Sequence, residues 1–317
     1  MEIFRLNPVF KDYIWGGTRL KSDFGFKSDY DKVAEGWMLS CHKDGKNKII
    51  GGKFDGLTLD EVIEKEGKEN IVGKRALDFP YFPVLIKLID AKDNLSIQVH
   101  PDNDYAKRVE GEFGKTEIWY VLDATDDAEL IYGFKKKISS DEFISAIENN
   151  TLTDVLNSVK VKKGDLFFIE AGTVHAIGKG TLIAEIQQNS NSTYRVYDYG
   201  RVGADGKPRE LHVKKAVDVS VTEPPKYDIK PMGEPIDKGD YTETLLTKCD
   251  LFTVNHYDVN GRLELEADDR SFNHILVVDG QGKINDMELK KGDSFFVPAN
   301  FGKYEIFGNT EIIVTNI

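Results

Sequence analysis

The sequence predicts a mainly β protein built from two related barrels with a few short helices. Most of its 317 residues fall in short runs of alternating apolar and polar residues. Turns rich in Gly, Asn and Asp separate these runs, which is typical of the strands of a sandwich or barrel. An internal repeat and a proline-rich stretch between its two copies place the barrels one after the other along the chain.

The repeat consists of two segments whose starts are 128 residues apart. Residues 161–177 read VKKGDLFFIEAGTVHAI and residues 289–306 read LKKGDSFFVPANFGKYEI, so both contain KKGD and a following Phe-Phe pair. We interpret each segment as a Lys-Gly-Asp turn, a strand and a second turn, in equivalent places of the two barrels. In the ungapped alignment His175 coincides with Lys303. We therefore expect the second barrel to be structural or to act as a lid.

The proline-rich stretch is the predicted domain boundary. Its sequence, EPPKYDIKPMGEPIDKGD (223–240), holds four of the chain's ten prolines and no periodic pattern. Such a composition is typical of a linker, and a chain of this length favours two domains. We expect a catalytic domain over residues 1–222, a linker over 223–240 and a C-terminal barrel over 241–317.

Three stretches carry the signals of short helices. Thr58 with Glu61, and Ser139 with Glu142, have the spacing of a capping box ahead of an apolar stripe. The stretch from Lys214 is shorter and has no such cap. The predicted helices cover residues 58–66, 139–150 and 214–219.

Residues 94–122 are expected to hold two strands that carry possible metal ligands. From Leu95 to Val99 the residues alternate, so Gln98 and His100 should share one strand face with Ser96. On a second run, 115–119, Lys115 and Glu117 share a face with Trp119. Two such strands could hold a metal between them.

A third ligand for that site is His175. Together with His100, Glu117 and the neighbouring Gln98 it gives a nitrogen and oxygen donor set that suits catalytic zinc, and also non-haem iron or manganese. The spacing of these residues matches no short metal motif. The same histidines could instead serve packing or hydrogen bonding, and the residue types alone leave both interpretations open.

The stretch IAEIQQNSNSTYRVYDYGR (183–201) contains further candidates. Glu185 is an acid inside an apolar strand, where burial would raise its pKa and suit general acid–base chemistry. It could equally be a solvent-facing residue of an edge strand. Arg195 and Arg201 lie among three tyrosines, and their planar guanidinium groups suit phosphate or carboxylate recognition, although exposed loop arginines are common.

The composition excludes several other classes of protein. The formal net charge of −12 argues against non-specific binding to nucleic acid or to a membrane surface. No apolar run approaches the ~20 residues needed to span a bilayer, and the first twenty residues lack the pattern of a signal peptide. Cys41 and Cys249 form no CxxC pair. We therefore expect a cytoplasmic protein.

Five segments of the chain form a combined pattern. They are PVFKDYIWGGTRL, LSIQVHPDNDYA, GKTEIWYVLDA, GDLFFIEAGTVHAIGKG and the Glu185 to Arg195 block. Together they resemble type I mannose-6-phosphate isomerase (phosphomannose isomerase) in its compact bacterial form. The resemblance covers roughly residues 1–220, and before Arg195 the chain departs from the Ser-Asp-Asn run of longer members of the family. It implies cupin-type (jelly-roll) barrels, a sugar-phosphate substrate, and interconversion of mannose 6-phosphate and fructose 6-phosphate through a cis-enediol.

The resemblance also implies residue roles and one zinc ion per chain. Gln98 could bind the zinc directly, or it could contact the ligands without binding the zinc itself. Either Glu185 or Lys115, or a zinc-bound water, could transfer the proton. The implied residues are Gln98, His100, Glu117 and His175 for zinc, Arg195, Glu185 and Lys115 for catalysis, and Lys87 in the substrate pocket. As a further hypothesis, Lys87 with Ser96, or alternatively Arg201, would hold the phosphate of the substrate.

Two functions of other classes also fit the sequence. A metal-binding cupin with different chemistry, such as an iron dioxygenase, predicts bound iron and oxygen-dependent turnover, with no need for Lys87 and Arg195. A non-catalytic sugar-binding cupin would usually have lost a ligand, yet His100, Glu117 and His175 are all present.

Overall fold

The computed structural model describes residues 1–203 and 206–317. Residues 204–205, which belong to the predicted catalytic domain, lie outside the described residues. The strands are β1 (Phe4–Asn7), β2 (Val9–Lys11), β3 (Glu35–Leu39), β4 (Cys41–His42), β5 (Gly45–Lys46), β6 (Lys48–Ile50), β7 (Val84–Ala91), β8 (Ile97–Val99), β9 (Glu117–Ala124), β10 (Glu129–Phe134), β11 (Leu156–Lys160), β12 (Leu166–Ile169), β13 (His175–Ala176), β14 (Thr181–Gln188), β15 (Tyr194–Tyr197), β16 (Ile236–Asp237), β17 (Tyr241–Lys248), β18 (Thr253–Val259), β19 (Arg262–Ala267), β20 (Asn273–Ile284), β21 (Met287–Lys290), β22 (Ser294–Val297) and β23 (Gly302–Asn316). The helices are α1 (Arg19–Ser22), α2 (Leu59–Glu66), α3 (Lys68–Val72), α4 (Asn103–Val109), α5 (Ser140–Glu148), α6 (Leu152–Val155) and α7 (Val213–Val219), with a 3₁₀ helix over Lys74–Asp78.

The strands pair into three large sheets, which confirms the mainly β class. The six-stranded sheet has the order β12-β9-β14-β7-β3-β2 and the five-stranded sheet the order β11-β10-β13-β8-β15. The ten-stranded sheet has the order β16-β17-β18-β23-β20-β22-β1-β6, with β19 on β23 and β21 on β20. Among the described residues these pairings leave every sheet open. The expectation of two closed barrels is therefore not confirmed, and the fold is better described as packed sheets.

The six-stranded sheet lies at the centre of the molecule, between two hydrophobic cores. One face packs on the five-stranded sheet through residues such as Trp119 and Tyr132. The other face packs on the ten-stranded sheet and on α2 and α3. Because both faces are covered, β7, β9 and β14 are almost wholly buried, and every residue of β7 and of β14 is buried. This explains why residues 81–91, YFPVLIKLIDA, form a nearly continuous apolar run with one cation, Lys87.

The five-stranded sheet has a helical cover on its outer face. Ile97 and Val99 of β8 pack there against Phe143 of α5 and Ala216 of α7. Leu95 departs from the predicted alternation and packs in the inner core instead, because β8 begins only at Ile97. The inner face of this sheet is left for polar side chains.

The first strand of the chain belongs to the sheet of the last residues. β1 lies between β22 and β6, with Phe4 opposite Phe296 and Leu6 opposite Ile49. Both β1 and β6 come from the predicted first domain, whereas the rest of this sheet follows residue 235. The two parts of the chain are therefore joined by main-chain hydrogen bonds as well as by the proline-rich stretch.

The two KKGD segments form the same turn. In each, the Asp side chain accepts a hydrogen bond of 2.9 Å from the Lys main-chain nitrogen three residues earlier. Gly164 and Gly292 have φ values of 93° and 89°, a region that favours glycine. A short strand, β12 or β22, follows each turn. The repeat therefore predicted an equivalent local structure correctly.

The capped helices agree with prediction. Thr58 and Glu61 form a capping box at α2, and Ser139 and Glu142 form one at α5. The stretch from Lys214 is part of α7. The helices that the sequence pattern did not reveal are short and have few buried side chains, as in α4, where Ala106 alone is buried. No helix in the described parts of the chain is long and apolar enough to cross a membrane.

Candidate metal centre and active-site cavity

The five-stranded sheet brings three of the predicted site residues into one row across its inner face. Gln98 on β8 lies directly opposite His175 on β13 and opposite Arg195 on β15. His100 follows β8 by one residue, so it shares the strand face of Gln98. Local alternation and strand register together place these side chains side by side, although they come from residues as far as 97 positions apart.

The facing six-stranded sheet supplies the carboxylate. Glu117, the first residue of β9, directs its Oε1 to 3.5 Å from His175 Nε2 and 3.8 Å from His100 Nε2. The two imidazole Nε2 atoms lie 3.1 Å apart. Gln98 completes the group, with its amide Nε2 3.4 Å and 3.5 Å from the same two ring nitrogens. All three ligand-type side chains are buried.

The hydrogen bonds of the imidazole rings define which nitrogen faces the centre. His100 Nδ1 lies 2.8 Å from the carbonyl oxygen of Ser192, and His175 Nδ1 lies 2.8 Å from that of Thr173. A carbonyl only accepts, so each Nδ1 carries the proton and each Nε2 presents a lone pair. Burial lowers the pKa of His100 and lowers that of His175 to about 3, so both rings are neutral.

These donors fit a divalent metal ion. Two lone pairs 3.1 Å apart repel each other unless a positive charge lies between them, and the buried Oε1 of Glu117 has no hydrogen-bond partner among the described residues. Lys115 Nζ donates to Glu117 Oε2 and, at 2.9 Å, to His100 Nε2. Burial, followed by the charge of Glu185, raises the pKa of Glu117 to about 7, and a bound cation would favour its ionised form.

A network of buried charges lies next to this group. Lys87 on β7 is directly opposite Glu185 on β14, and Lys87 Nζ lies 3.0 Å from Glu185 Oε1. Lys115 Nζ lies 3.9 Å from the same oxygen. Trp119 Nε1 donates to Glu185 Oε2 at 2.9 Å. A second carboxylate, Glu35, lies 3.9 Å from Lys87.

The neighbouring lysines determine the protonation state of Glu185. They lower its pKa, whereas the sequence led us to expect a raised pKa. Burial would raise the pKa of this carboxyl, but Lys115 and Lys87 outweigh it and lower the pKa to about 2. Burial would likewise lower the pKa of Lys87, but Glu185 and Glu35 raise it above its ordinary value. Glu185 is therefore a carboxylate at neutral pH.

A cavity of about 330 Å³ opens beside the metal-ligand group. Within the described residues its wall includes every predicted catalytic and substrate residue except Arg201. The predicted residues in the wall are Lys87, Ser96, Gln98, Lys115, Glu185 and Arg195. A larger cleft of about 770 Å³ lies elsewhere, beside α2, and contains none of the ligand residues.

Arg201 is not among the residues that line the cavity. Its three guanidinium nitrogens all donate to neighbours, namely the main chain of Asp198, the side chain of Asp198 and the carbonyl of Asn94. Arg209, which sequence analysis did not select, lies in the wall instead. Its stretch has no periodic pattern that would have indicated it. Glu35 was also missed, although an acid in an apolar run is the same signal that selected Glu185.

Comparison with known proteins agrees with this arrangement. A family model for the catalytic domain of type I phosphomannose isomerase matches residues 3–132, and one for the cupin domain of mannose-6-phosphate isomerase matches residues 241–317. Mannose-6-phosphate isomerase ManA of Bacillus subtilis is 39% identical over 98% of this chain and 97% of its own length. Mannose-6-phosphate isomerase of Streptococcus mutans is 36% identical over 96% and 94%.

Solved structures give the same result. The crystal structure of mannose 6-phosphate isomerase from Bacillus subtilis superposes with a TM-score of 0.90 and 38% identity over the whole of both chains. Phosphomannose isomerase from Salmonella typhimurium shares the fold, with a TM-score of 0.77 and 18% identity over 99% of this chain and 98% of its own. The chain belongs to the type I mannose-6-phosphate isomerase family, a family of enzymes that contain a cupin domain.

Proposed function

We propose that the chain is an aldose–ketose isomerase that interconverts mannose 6-phosphate and fructose 6-phosphate through a cis-enediol. The observation that carries the proposal is a His-Glu-His group beside a cavity lined by Lys87, Lys115 and Arg195, in a family of isomerases. The local cations matter because the whole chain carries a net charge of −12, which would repel a sugar phosphate.

The proposed cofactor is one zinc ion per chain, held by His100, Glu117 and His175 with Gln98 beside them. Neutral imidazole nitrogens and a carboxylate oxygen suit zinc, and the same donors suit iron or manganese. When bound, the ion would supply Lewis acidity that stabilises negative charge on a substrate oxygen.

The side chains would divide the remaining work of the reaction. A proton has to move between C1 and C2 of the open-chain sugar, with no net change in oxidation state. Glu185 is the proposed proton-transfer group because it lines the cavity, and Lys115 is the alternative. The charges of Lys115 and Lys87 lower the pKa of Glu185 and so make it a weaker base than the sequence suggested. Arg195 would stabilise the negative charge that develops on the substrate oxygen as the enediolate forms. Lys87 and Ser96 would contact the substrate.

The remaining parts of the proposal concern the whole chain. We assign the catalytic domain to residues 1–222, the linker to 223–240 and a unit without metal ligands to 241–317, in a cytoplasmic protein. In support of the last unit, Lys303, at the position equivalent to His175, is exposed and pairs with Glu264.

A coupled isomerase assay with mannose 6-phosphate, before and after chelation, tests the proposal. We expect about one zinc per chain in the purified protein, turnover without oxygen, loss of activity with a chelator, and recovery when zinc is returned. Retention of full activity by metal-free protein would exclude the metal-dependent mechanism. Turnover that requires iron and oxygen would indicate a dioxygenase instead.

A further inference from the structure

The end of β14 begins a run of four buried polar residues that the proposed mechanism does not use. Gln187 and Ser190 are fully buried, and Gln188 and Asn189 are each 4% exposed. Burying a polar group costs free energy unless the group is hydrogen-bonded, so such a run needs a reason. None of the four is among the residues that line the cavity, but their hydrogen bonds lead to the segments that carry the metal-ligand group.

Gln188 holds the segment just before Glu117. Its side-chain Oε1 accepts a hydrogen bond of 3.0 Å from the main-chain nitrogen of Thr116, and its own main-chain nitrogen donates to the Thr116 carbonyl at 3.1 Å. Thr116 lies between Lys115 and Glu117, the lysine and the carboxylate of the site. One glutamine therefore fixes the backbone between these two side chains.

Asn103 extends this contact to the start of α4. Gln188 Nε2 donates to Asn103 Oδ1 at 2.9 Å, and the same oxygen accepts a hydrogen bond of 2.9 Å from the main-chain nitrogen of Gly114. The two backbones lie so close that a Cβ on Gly114 would be 2.6 Å from the main-chain nitrogen of Asn103. Asn103 follows His100 by three residues, so this bridge joins the segment after His100 to the segment before Glu117.

Gln187 holds the loop that follows β14. Its Nε2 donates to the carbonyls of Gln188 at 2.8 Å and of Ser190 at 2.6 Å. Ser190 Oγ in turn accepts a hydrogen bond of 3.3 Å from the main-chain nitrogen of Ser192. The carbonyl of Ser192 is the group that orients the imidazole of His100. Gln187 therefore shapes the loop that sets the direction of this ring.

We propose that Gln188 and Asn103 are positioning residues for the carboxylate of Glu117. Gln187 has the same role for His100, through the loop that it holds. This inference rests on the proposed isomerase function and deepens it. Hydrogen-bonded partners behind metal ligands typically contribute roughly 10–100-fold to metal affinity or activity. Because these three side chains lie outside the cavity wall, their loss should change zinc affinity and kcat more than KM.

Two substitutions of Asn103 and one control test the bridge. Asn103 is exposed, so Asn103→Ala removes the acceptor without emptying the core. We expect it to raise the Kd for zinc by about tenfold, measured by competition with a chelator, and to lower kcat at saturating zinc by about threefold or more. Asn103→Asp keeps an oxygen that accepts both hydrogen bonds and should recover most of the loss. Asp104→Ala removes another exposed side chain from the same turn of α4 and should keep the wild-type Kd.

Thermal unfolding separates positioning from a general loss of stability. Zinc raises the Tm of a protein that binds it by an amount that depends on the Kd. In Asn103→Ala this rise should be smaller than in wild type at the same zinc concentration. A purely structural role would instead lower the Tm of the metal-free and the zinc-loaded protein equally.

Variants of the two glutamines test the rest of the proposal. Gln188→Ala should raise the Kd for zinc at least as much as Asn103→Ala, because it also leaves the main-chain nitrogen of Thr116 without its acceptor. If the bridge acts as a unit, the double variant should bind zinc more tightly than the product of the two single effects predicts. Gln187→Met keeps the size of the side chain and loses the donor, so it should also raise the Kd by about tenfold.

The outcomes distinguish this inference from the proposed function. A wild-type protein that neither binds zinc nor isomerises mannose 6-phosphate refutes the proposed function itself. If wild type binds zinc and is active, and the folded variants keep its Kd and kcat, the positioning role is wrong. It is also wrong if Asn103→Ala lowers the Tm but keeps the full rise with zinc. Circular dichroism verifies folding, and Asn103→Ala against Asn103→Asp decides the question if the glutamine variants do not fold.

Discussion

Main-chain carbonyls orient the imidazole rings of His100 and His175. The carbonyl oxygens of Ser192 and Thr173 each accept a hydrogen bond from an Nδ1–H group, so each Nε2 keeps a lone pair that faces the centre of the site. Neither ring can turn without breaking a partly buried hydrogen bond. The site is therefore preorganised for a cation by the backbone of two loops.

Replacing a ligand should remove the metal without unfolding the chain. We expect His175→Ala to lose most of its zinc, and its activity to fall by more than the roughly 10–100-fold that loss of a supporting partner costs. Elemental analysis and the isomerase assay measure the two effects. His256→Ala, a change in the ten-stranded sheet, is the control and should keep the metal. A His175→Ala protein with full zinc content would refute the ligand assignment.

Replacing Arg195 should separate catalysis from metal binding. For Arg195→Ala we expect a folded, zinc-loaded protein whose kcat falls by more than about tenfold. The reason is that the guanidinium would no longer stabilise the negative charge of the enediolate. Steady-state kinetics and metal analysis of the same sample test this. An unchanged kcat would remove Arg195 from the mechanism.

The sequence predicted individual site residues only where a strand pattern or a segment typical of the family indicated them. The alternation of 95–99 placed Gln98 and His100 on one face, as the structure has them. The pKa of Glu185 was predicted in the wrong direction, because Lys87 lies on β7 and Lys115 just before β9, and their position beside Glu185 cannot be read from the local sequence. Arg209 lies in a loop with no pattern and could not be selected.

At the scale of elements, local signals at chain turns agree closely with the structure. Capping boxes begin α2 and α5, and the two KKGD turns share one geometry. These features depend on residues three apart, so one sequence is enough to detect them. Short helices such as α4 lack an apolar stripe, since tertiary contacts determine them, and the sequence pattern did not predict them.

The cap of α5 should contribute measurably to stability. Ser139 Oγ accepts a hydrogen bond from the main-chain nitrogen of Glu142 at 3.1 Å, and α5 covers the outer face of the five-stranded sheet through Phe143. We expect Ser139→Ala to lower the free energy of unfolding by about 1 kcal/mol. Urea unfolding followed by circular dichroism measures it. Ser140→Ala, one residue inside the helix, is the control, and equal losses in both variants would contradict a capping role.

At the scale of the whole molecule, the layers depend on contacts that join distant parts of the chain. The KKGD turn before β12 contacts the last strand, where Lys163 Nζ lies 3.1 Å from Glu311 Oε1. His256 Nε2 lies 3.8 Å from Glu311 Oε2, which is beyond hydrogen-bond distance. The pairing of strands from both parts of the chain in one sheet could not be predicted, because strand order is set by such long-range contacts, which one sequence does not reveal.

This contact predicts a pH dependence of stability. His256 and Lys163 lower the pKa of Glu311, against the effect of burial. Because His256 Nε2 lies beyond hydrogen-bond distance, we attribute the lowering mainly to the ion pair with Lys163. Ionised Glu311 therefore stabilises the fold above its ordinary pKa of 4.5, and the contribution is lost as the pH falls from there towards 2. Because the Lys163 side chain is 54% exposed and the Glu311 side chain 26% exposed, solvent screens the pair, and we expect a contribution of about 0.5–1 kcal/mol.

Urea unfolding of Glu311→Gln at several pH values tests this. The variant should be less stable than wild type at pH 7, and the difference should shrink as the pH falls below about 4.5. Glu288→Gln is the control, since its side chain is 77% exposed. A difference between Glu311→Gln and wild type that stays constant down to pH 3 would contradict the assignment.

The position of β1 between β22 and β6 also determines the order in which the chain can finish folding. Phe4 leaves the ribosome first, but its partner Phe296 is made almost 300 residues later. At about 5–20 residues per second, the first strand would wait roughly 15–60 s for half of its hydrogen bonds. During synthesis the central six-stranded sheet would lack its cover on one face. We therefore expect a nascent chain that needs protection until its last strands emerge.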